Sequence, residues 1–335
     1  MLILTLALPT GVFADGASYT LESSIPPGPG ERWDYVTYDP VDGRAYVAHG
    51  DHVTAVDVAK GAAIGDIGPF PGGTHGIAIA HSSGHGYTDD GKAGIVGVFD
   101  PATLKVIKTV PAPDADGIVL DKASGHVFVI EGDSGSIGVI DPKTDSMIAT
   151  ITVGAGLEAG AADGMGHLYV NGADQHDIVE IDTGTNTIMA HLPMAGCERP
   201  HGIAVDAQWR RVFSTCANKV MVALDADSGK VIATLPIGGF NDGAAFDPKR
   251  KRVFASNGDG TLTVVSEKSA DSLVPMGDVK TVPSARTIAI DEQTGRVFLP
   301  AADIAKIDMP TTPGGRPHVT FVPGSLKLLV YKPTD

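Results

Sequence analysis

Arg199-Pro200-His201-Gly202-Ile203-Ala204-Val205-Asp206 is the stretch that decides how the chain is read. Gly202 lets the backbone enter tightly, Ile203 to Val205 are strand formers, and Asp206 opens a turn. Arg211-Val212-Phe213-Ser214-Thr215 then reads as a returning strand, with Phe213 seven residues after the Asp. The phrase recurs. His75-Gly76-Ile77-Ala78-Ile79 is followed by Tyr87, Asp116-Gly117-Ile118-Val119-Leu120-Asp121 by Phe128, and Asp242-Gly243-Ala244-Ala245-Phe246-Asp247 by Phe254. Asp34-Tyr35-Val36-Thr37-Tyr38-Asp39 with Tyr46 opens the series, and Arg286-Thr287-Ile288-Ala289-Ile290-Asp291 with Phe298 closes it. Glu158-Ala159-Gly160-Ala161-Ala162-Asp163 with Tyr169 is a weaker copy.

The lead residues Asp34, His75, Asp116, Glu158, His201, Asp242 and Arg286 are spaced 41, 41, 42, 43, 41 and 44 residues apart. Seven copies of a strand-rich unit of this length predict an all-β chain, a seven-bladed β-propeller. One small sheet cannot bury both its faces, so the ring must close. The lead residue is the variable letter of an otherwise uniform phrase, which makes it the place to look for function.

A length of 335 residues suits one large propeller, over 15–335, better than two domains. The net charge of −15, with acids spread through every repeat, argues against nucleic acid as a partner. Met1 to Leu8 is apolar, and Val12-Phe13-Ala14 resembles a signal-peptidase site, so residues 1–14 read as a signal peptide without its basic start, truncated upstream. No later stretch is apolar enough to span a membrane. A periplasmic or secreted location is expected, and with it a disulfide between Cys197 and Cys216, the two cysteines of the chain.

Each repeat divides into four strands. In the fifth these are 201–206, 211–216, 220–224 and 230–235. The seventh repeat has a third strand at Leu326 to Tyr331 and then no fourth, whereas Ser18 to Glu22 is an extended segment ahead of the first repeat. That segment is expected to supply the missing outer strand, so both termini build the last blade and no open sheet edge remains. Between Ala301 and Ser325 lies a long Pro- and Gly-rich loop carrying Asp303, Lys306, Asp308, Arg316 and His318. Propeller geometry puts it on the face where the inner strands begin, where it could cover the channel mouth.

The second-strand phrases Ala45-Tyr46-Val47-Ala48, Leu168-Tyr169-Val170-Asn171 and Val253-Phe254-Ala255-Ser256-Asn257-Gly258 resemble the YVTN (YncE-like) family of seven-bladed propellers. The turns Asp225-Ala226-Asp227-Ser228-Gly229 and Asp141-Pro142-Lys143-Thr144 add to the likeness, which covers about 30 to 331. No repeat spells Tyr-Val-Thr-Asn in full; His49 and Cys216 are among the departures. The resemblance implies an exported bacterial propeller. It implies little about activity: members include binding proteins, one branch binds DNA, and related propellers include lactone hydrolases and lyases.

The seven lead residues ring one end of the central channel, with four carboxylates, two imidazoles and one guanidinium. Crowded like charges cost energy unless a cation, a proton or Arg286 compensates. His75 and His201 with Asp116, Glu158 and Asp242 are the expected ligands if a divalent metal is bound. Trp33 and Phe240 offer stacking faces to a small ligand. His75, His201 and Arg286 are the candidates for catalysis. His49, Asp51 and His52 form a second cluster on the outer rim, and Tyr87-Thr88-Asp89-Asp90 brings two more carboxylates near the mouth. His81, His85 and His126 fall in turns on the opposite face, and His176 and His191 read as solvated. No nucleophile elbow, P-loop, dinucleotide fingerprint, His-Glu-x-x-His or haem-attachment motif is present. The sequence therefore reads as an exported propeller that binds a small ligand or metal ion at its channel mouth. A metal-dependent hydrolase or lyase of lactone-like substrates and a scaffold for a protein partner on the loop-rich face are the alternatives.

Overall fold

The fold follows from three local rules: where the chain turns, what each sheet buries, and how the ring closes. The computed structural model describes residues 19–30, 32–154, 156–310 and 318–334. The signal-peptide reading of 1–14 and Arg316 lie outside them. Among the described residues there is no helix; seven four-stranded antiparallel sheets make seven blades. Blade 5, which contains the phrase quoted first, runs Pro200–Asp206, Arg211–Cys216, Val220–Asp225 and Lys230–Pro236 from the channel outward.

The turns are made by aspartates that fold back on their own backbone. After the inner strands, Asp39 Oδ1 accepts from Val41 N, Asp206 Oδ1 from Gln208 N, Asp247 Oδ1 from Lys249 N and Asp291 Oδ1 from Gln293 N, each at 3.0 Å. The third-to-fourth-strand turns repeat the device with Asp100, Asp141, Asp182 and Asp225. The aromatic residue of each second strand, Tyr46, Tyr87, Phe128, Tyr169, Phe213, Phe254 and Phe298, is fully buried. One bulky ring per blade at the same level fills the space between neighbouring sheets, so the core lies between blades.

Blade 7 closes as expected. Its order is Ala289–Asp291, Arg296–Ala301, Lys327–Pro333 and then the N-terminal strand Tyr19–Ile25. Tyr19 pairs with Pro333 and Ile25 with Leu328, both ends of the added strand being buried. Phe298 stacks on Tyr38 of blade 1 with centroids 4.6 Å apart, and the cluster around Ile25, Val36, Val47, Phe298 and Val330 joins the last blade to the first.

Within the 301–325 segment, Ile304–Asp308 pairs antiparallel with His318–Phe321. The second of these strands reaches the mouth: Phe321 packs edge-on against Trp33, centroids 4.7 Å apart. Cys197 and Cys216 form the expected disulfide, with Cα atoms 5.4 Å apart. It ties the loop entering blade 5 to the end of that blade's second strand.

Two measurements test these staples. Deleting residues 19–25 exposes the Lys327–Pro333 edge and removes two buried side chains worth roughly 2 kcal/mol each; a large fall in melting temperature by circular dichroism is expected, and an unchanged melt would refute the closure. Replacing both cysteines by Ala should cost roughly 3 kcal/mol in denaturant unfolding, the loop-closure value for a bridge of this span.

Candidate functional site

In five blades the lead residue lies where the inner strand bulges, while His75 and Arg286 lie just ahead of their inner strands, Ile77–Ala80 and Ala289–Asp291. Pairing slips by one residue between Trp33 and Val36, Ala115 and Gly117, Leu157 and Gly160, Pro200 and Ile203, and Asn241 and Gly243. The unpaired residue of a bulge is re-aimed, and here it is the lead side chain that turns toward the mouth. The glycine that follows the lead residue is required in two blades. A Cβ at Gly76 would run into the backbone of Ile118, and one at Gly202 into Gly243, since neighbouring inner strands touch backbone to backbone. Gly76 N donates to Asp116 O of the next blade at 2.8 Å.

A polar residue two positions past the buried aromatic secures several bulges. Asn171 Nδ2 donates to His201 O at 2.8 Å, Thr215 Oγ1 accepts from Gly202 N at 3.0 Å, and Ser256 Oγ donates to Arg286 O. In blade 2 that position is Asp89. Its Oδ1 accepts from His75 N and Gly76 N at 2.9 and 2.8 Å, and its Oδ2 lies 2.6 Å from His75 Nδ1. The sequence reading gave Asp89 only as a carboxylate near the mouth; its role as the partner of His75 is visible once the seven second strands are aligned on their aromatic residue.

The ring divides into two halves. On one side Asp34, His75 and Asp116 bring ligand atoms within 4.8 Å of one another. On the other, His201 Nδ1 stands 3.8 Å from Glu158 Oε1 and 3.7 Å from Asp242 Oδ1. Arg286 bridges the halves: Nε donates to Asp242 Oδ2 at 2.7 Å, Nη2 to Trp33 O at 3.0 Å, and the guanidinium lies over the Trp33 ring. The five residues expected as metal ligands are thus shared between the halves, and Asp34, expected only to touch a ligand, joins His75 and Asp116. Trp33 lines a cavity of about 490 Å³ with Asp34, His75, Arg286 and Phe321. An adjoining cavity of about 630 Å³ reaches from His75 past Asp116 to Glu158 and Arg199. Phe240 stands exposed beyond both cavities. Tyr35, which sequence reasoning passed over, occupies the slot where four other blades have glycine and packs against the cluster that contains Ala159 and Ile203.

Burial pushes the Asp34 carboxyl up to about 8, against the pull of Arg286, with Asp242 and Asp116 adding to the rise. Burial lifts Asp116 to about 6. His75 moves the other way for an imidazole losing solvent: its bond to Asp89 outweighs burial and raises it to about 9. Burial and four carboxylates hold the Tyr35 phenol far above its usual range, so it remains a donor. Burial opposes the charge on Arg286, but Asp242 and Asp34 more than offset it.

The outer-rim cluster is organised differently. His49 is fully buried, and Asp66 joins it and His52. Thr54 Oγ1 lies 2.7 Å from His49 Nε2 and donates to Asp66 Oδ1 at 2.5 Å, so a hydroxyl already occupies the space between two of the three groups. Burial and His52 hold His49 down at about 4. Asp51 is bound by His52 Nδ1 at 2.8 Å. Three other histidines bond carboxylates away from the mouth: His81 bonds Asp39, His85 bonds Asp145, and His191, read as solvated, bonds Asp177.

The class of protein this architecture defines is the seven-bladed β-propeller. No protein-family model matches the chain, and no curated protein does. Among solved structures it is similar to a chain of the hydrazine synthase of Kuenenia stuttgartiensis, with a TM-score of 0.69 and 15% identity over 88% of this chain and 96% of that one. At that identity the likeness concerns the fold alone. Among the described residues no helix is long and apolar enough to cross a membrane.

The His75–Asp89 pair gives a pH prediction. In chelator-treated protein the His75 ring should titrate near 9 by NMR, and Asp89→Asn should return it toward the usual imidazole value of about 6.5. Because the folded value lies above the unfolded one, the pair's contribution to stability is full below about pH 6.5 and is lost as pH rises through about 9. Titration of His75 near 6.5 in the unmutated protein would contradict the geometry.

Proposed function

We propose that this is an exported binding protein that takes a small ligand at its channel mouth through a divalent metal ion held by Asp34, His75 and Asp116. One observation carries the reading. Apart from the 4.0 Å approach of His75 to Asp116, neither the Asp34 nor the Asp116 carboxylate takes a hydrogen bond from any described residue, though both are half-buried in a crowded acidic ring. Crowded, half-buried carboxylates without donors call for a cation or a proton. His75 is prepared as a ligand in the usual way, one ring nitrogen tied to the carboxylate of Asp89 and the other left over. One nitrogen and two oxygens suit zinc or another first-row divalent ion, and three protein ligands leave coordination positions for a small molecule. The disulfide is consistent with an oxidising compartment, and the YVTN-like phrases support export.

Metal analysis of purified protein, followed by calorimetry on the stripped protein, tests this. Binding of one divalent ion per chain is expected, weakened at least about tenfold by His75→Ala or Asp116→Ala while the thermal melt is nearly unchanged, since a metal ligand set loses much of its affinity with one member. Stoichiometric binding untouched by either variant would move the site elsewhere.

A second reading, hydrolysis or lyase chemistry on a lactone-like substrate, is favoured by His201. It lies between Glu158 and Asp242 across the mouth, placed to carry a proton. A metal ion at Asp34, His75 and Asp116 would supply polarisation of a carbonyl. Turnover of a lactone panel by metal-supplemented protein, abolished by His201→Ala, would establish this chemistry; binding without turnover would leave the protein a binder.

A further inference from the structure

We infer that the ligand completing this site is a small dianion, bearing carboxylate or phosphate groups, seated between the metal cluster and a rim formed by Arg32, Lys92 and Arg199. The inference rests on the proposed metal site and names the chemistry of what binds there. All three rim residues line the 630 Å³ cavity that also contains His75, Asp116 and Glu158. All three are exposed, and none has an ion pair or side-chain hydrogen bond among the described residues.

For the two arginines that is unusual within this chain. The other described arginines are engaged: Arg44 with Asp42, Arg210 with Glu180, Arg211 with Asp225, Arg250 with Asp247, Arg286 with Asp242, and Arg296 with Glu22. Arg252 reaches Tyr19 Oη. With 40 acidic against 25 basic residues, partners are abundant, and Asp114, Asp133 and Asp174 line the same cavity as the two unengaged arginines. Guanidinium groups left open in an acidic protein, in one cavity, match carboxylate or phosphate oxygens, which they bind in bidentate fashion.

Arg199 is also held in place at a cost. Its φ is +47°, a left-handed conformation uncommon for a residue with a side chain, and Ala217 N donates to its carbonyl at 3.1 Å. The Cys197–Cys216 bridge anchors the same loop two residues away. An anion would answer the unengaged cations with charge and the open coordination positions of the metal with oxygen donors.

Calorimetry with malonate and with inorganic phosphate, each titrated into manganese-supplemented and into metal-stripped protein, tests the inference. The variant is Arg32→Ala with Arg199→Asn, since asparagine tolerates the left-handed conformation. Both side chains are exposed, so the fold should survive, as a thermal melt would show. Binding of at least one dianion to the supplemented protein is expected, reduced at least about tenfold in the variant, with affinity for manganese alone undiminished. Preference for malonate or phosphate tells which group the ligand carries. Equal dianion affinity in variant and parent, or no dianion binding to the parent with or without metal, would overturn the inference. Arginine-dependent binding that persists without metal would keep the anion rim and refute the metal site instead.

Discussion

The constraint on which the rest depends is the backbone-to-backbone contact of neighbouring inner strands around a closed ring. It forces glycine at positions such as 76 and 202, where a side chain would meet the next blade. In five blades the lead residue sits in a bulge and is turned into the mouth, and in the other two His75 and Arg286 enter it from just ahead of the inner strand. Seven blades therefore deliver seven side chains to one small space, whatever those side chains are. In this chain they are mostly acidic. The lifted carboxyls of Asp34 and Asp116 are a consequence of ring closure, since the same groups on an open sheet would be hydrated.

The polar residues below the bulges connect fold to site. Asn171, Thr215 and Ser256 hold backbone, a structural task. Asp89 does the same for His75 N and Gly76 N and in addition binds the imidazole. A position that serves the scaffold in three blades thus serves both scaffold and chemistry in one. The mouth is also asymmetric: Arg286 donates to Asp242 on one side, while on the other neither the Asp34 nor the Asp116 carboxylate accepts a hydrogen bond from any described residue. The metal ion proposed above is assigned to the second side for that reason.

The sequence by itself determined the blade count, the strand order, the ring closure and the disulfide. These depend on short-range turn chemistry, on a repeated hydrophobic pattern and on the count of strands, all written along the chain. It also named every lead residue. The tertiary structure alone decided how those residues group, because grouping depends on distances across a channel between blades far apart in sequence. It set Asp34 with His75 and Asp116, put Asp89 behind His75, packed Tyr35 against the cluster that contains Ile203, and paired Ile304–Asp308 with His318–Phe321 so that Phe321 meets Trp33. None of these contacts joins residues close in sequence except through a bulge or a hairpin, and periodicity carries no information about which side chain a bulge will bring to which neighbour.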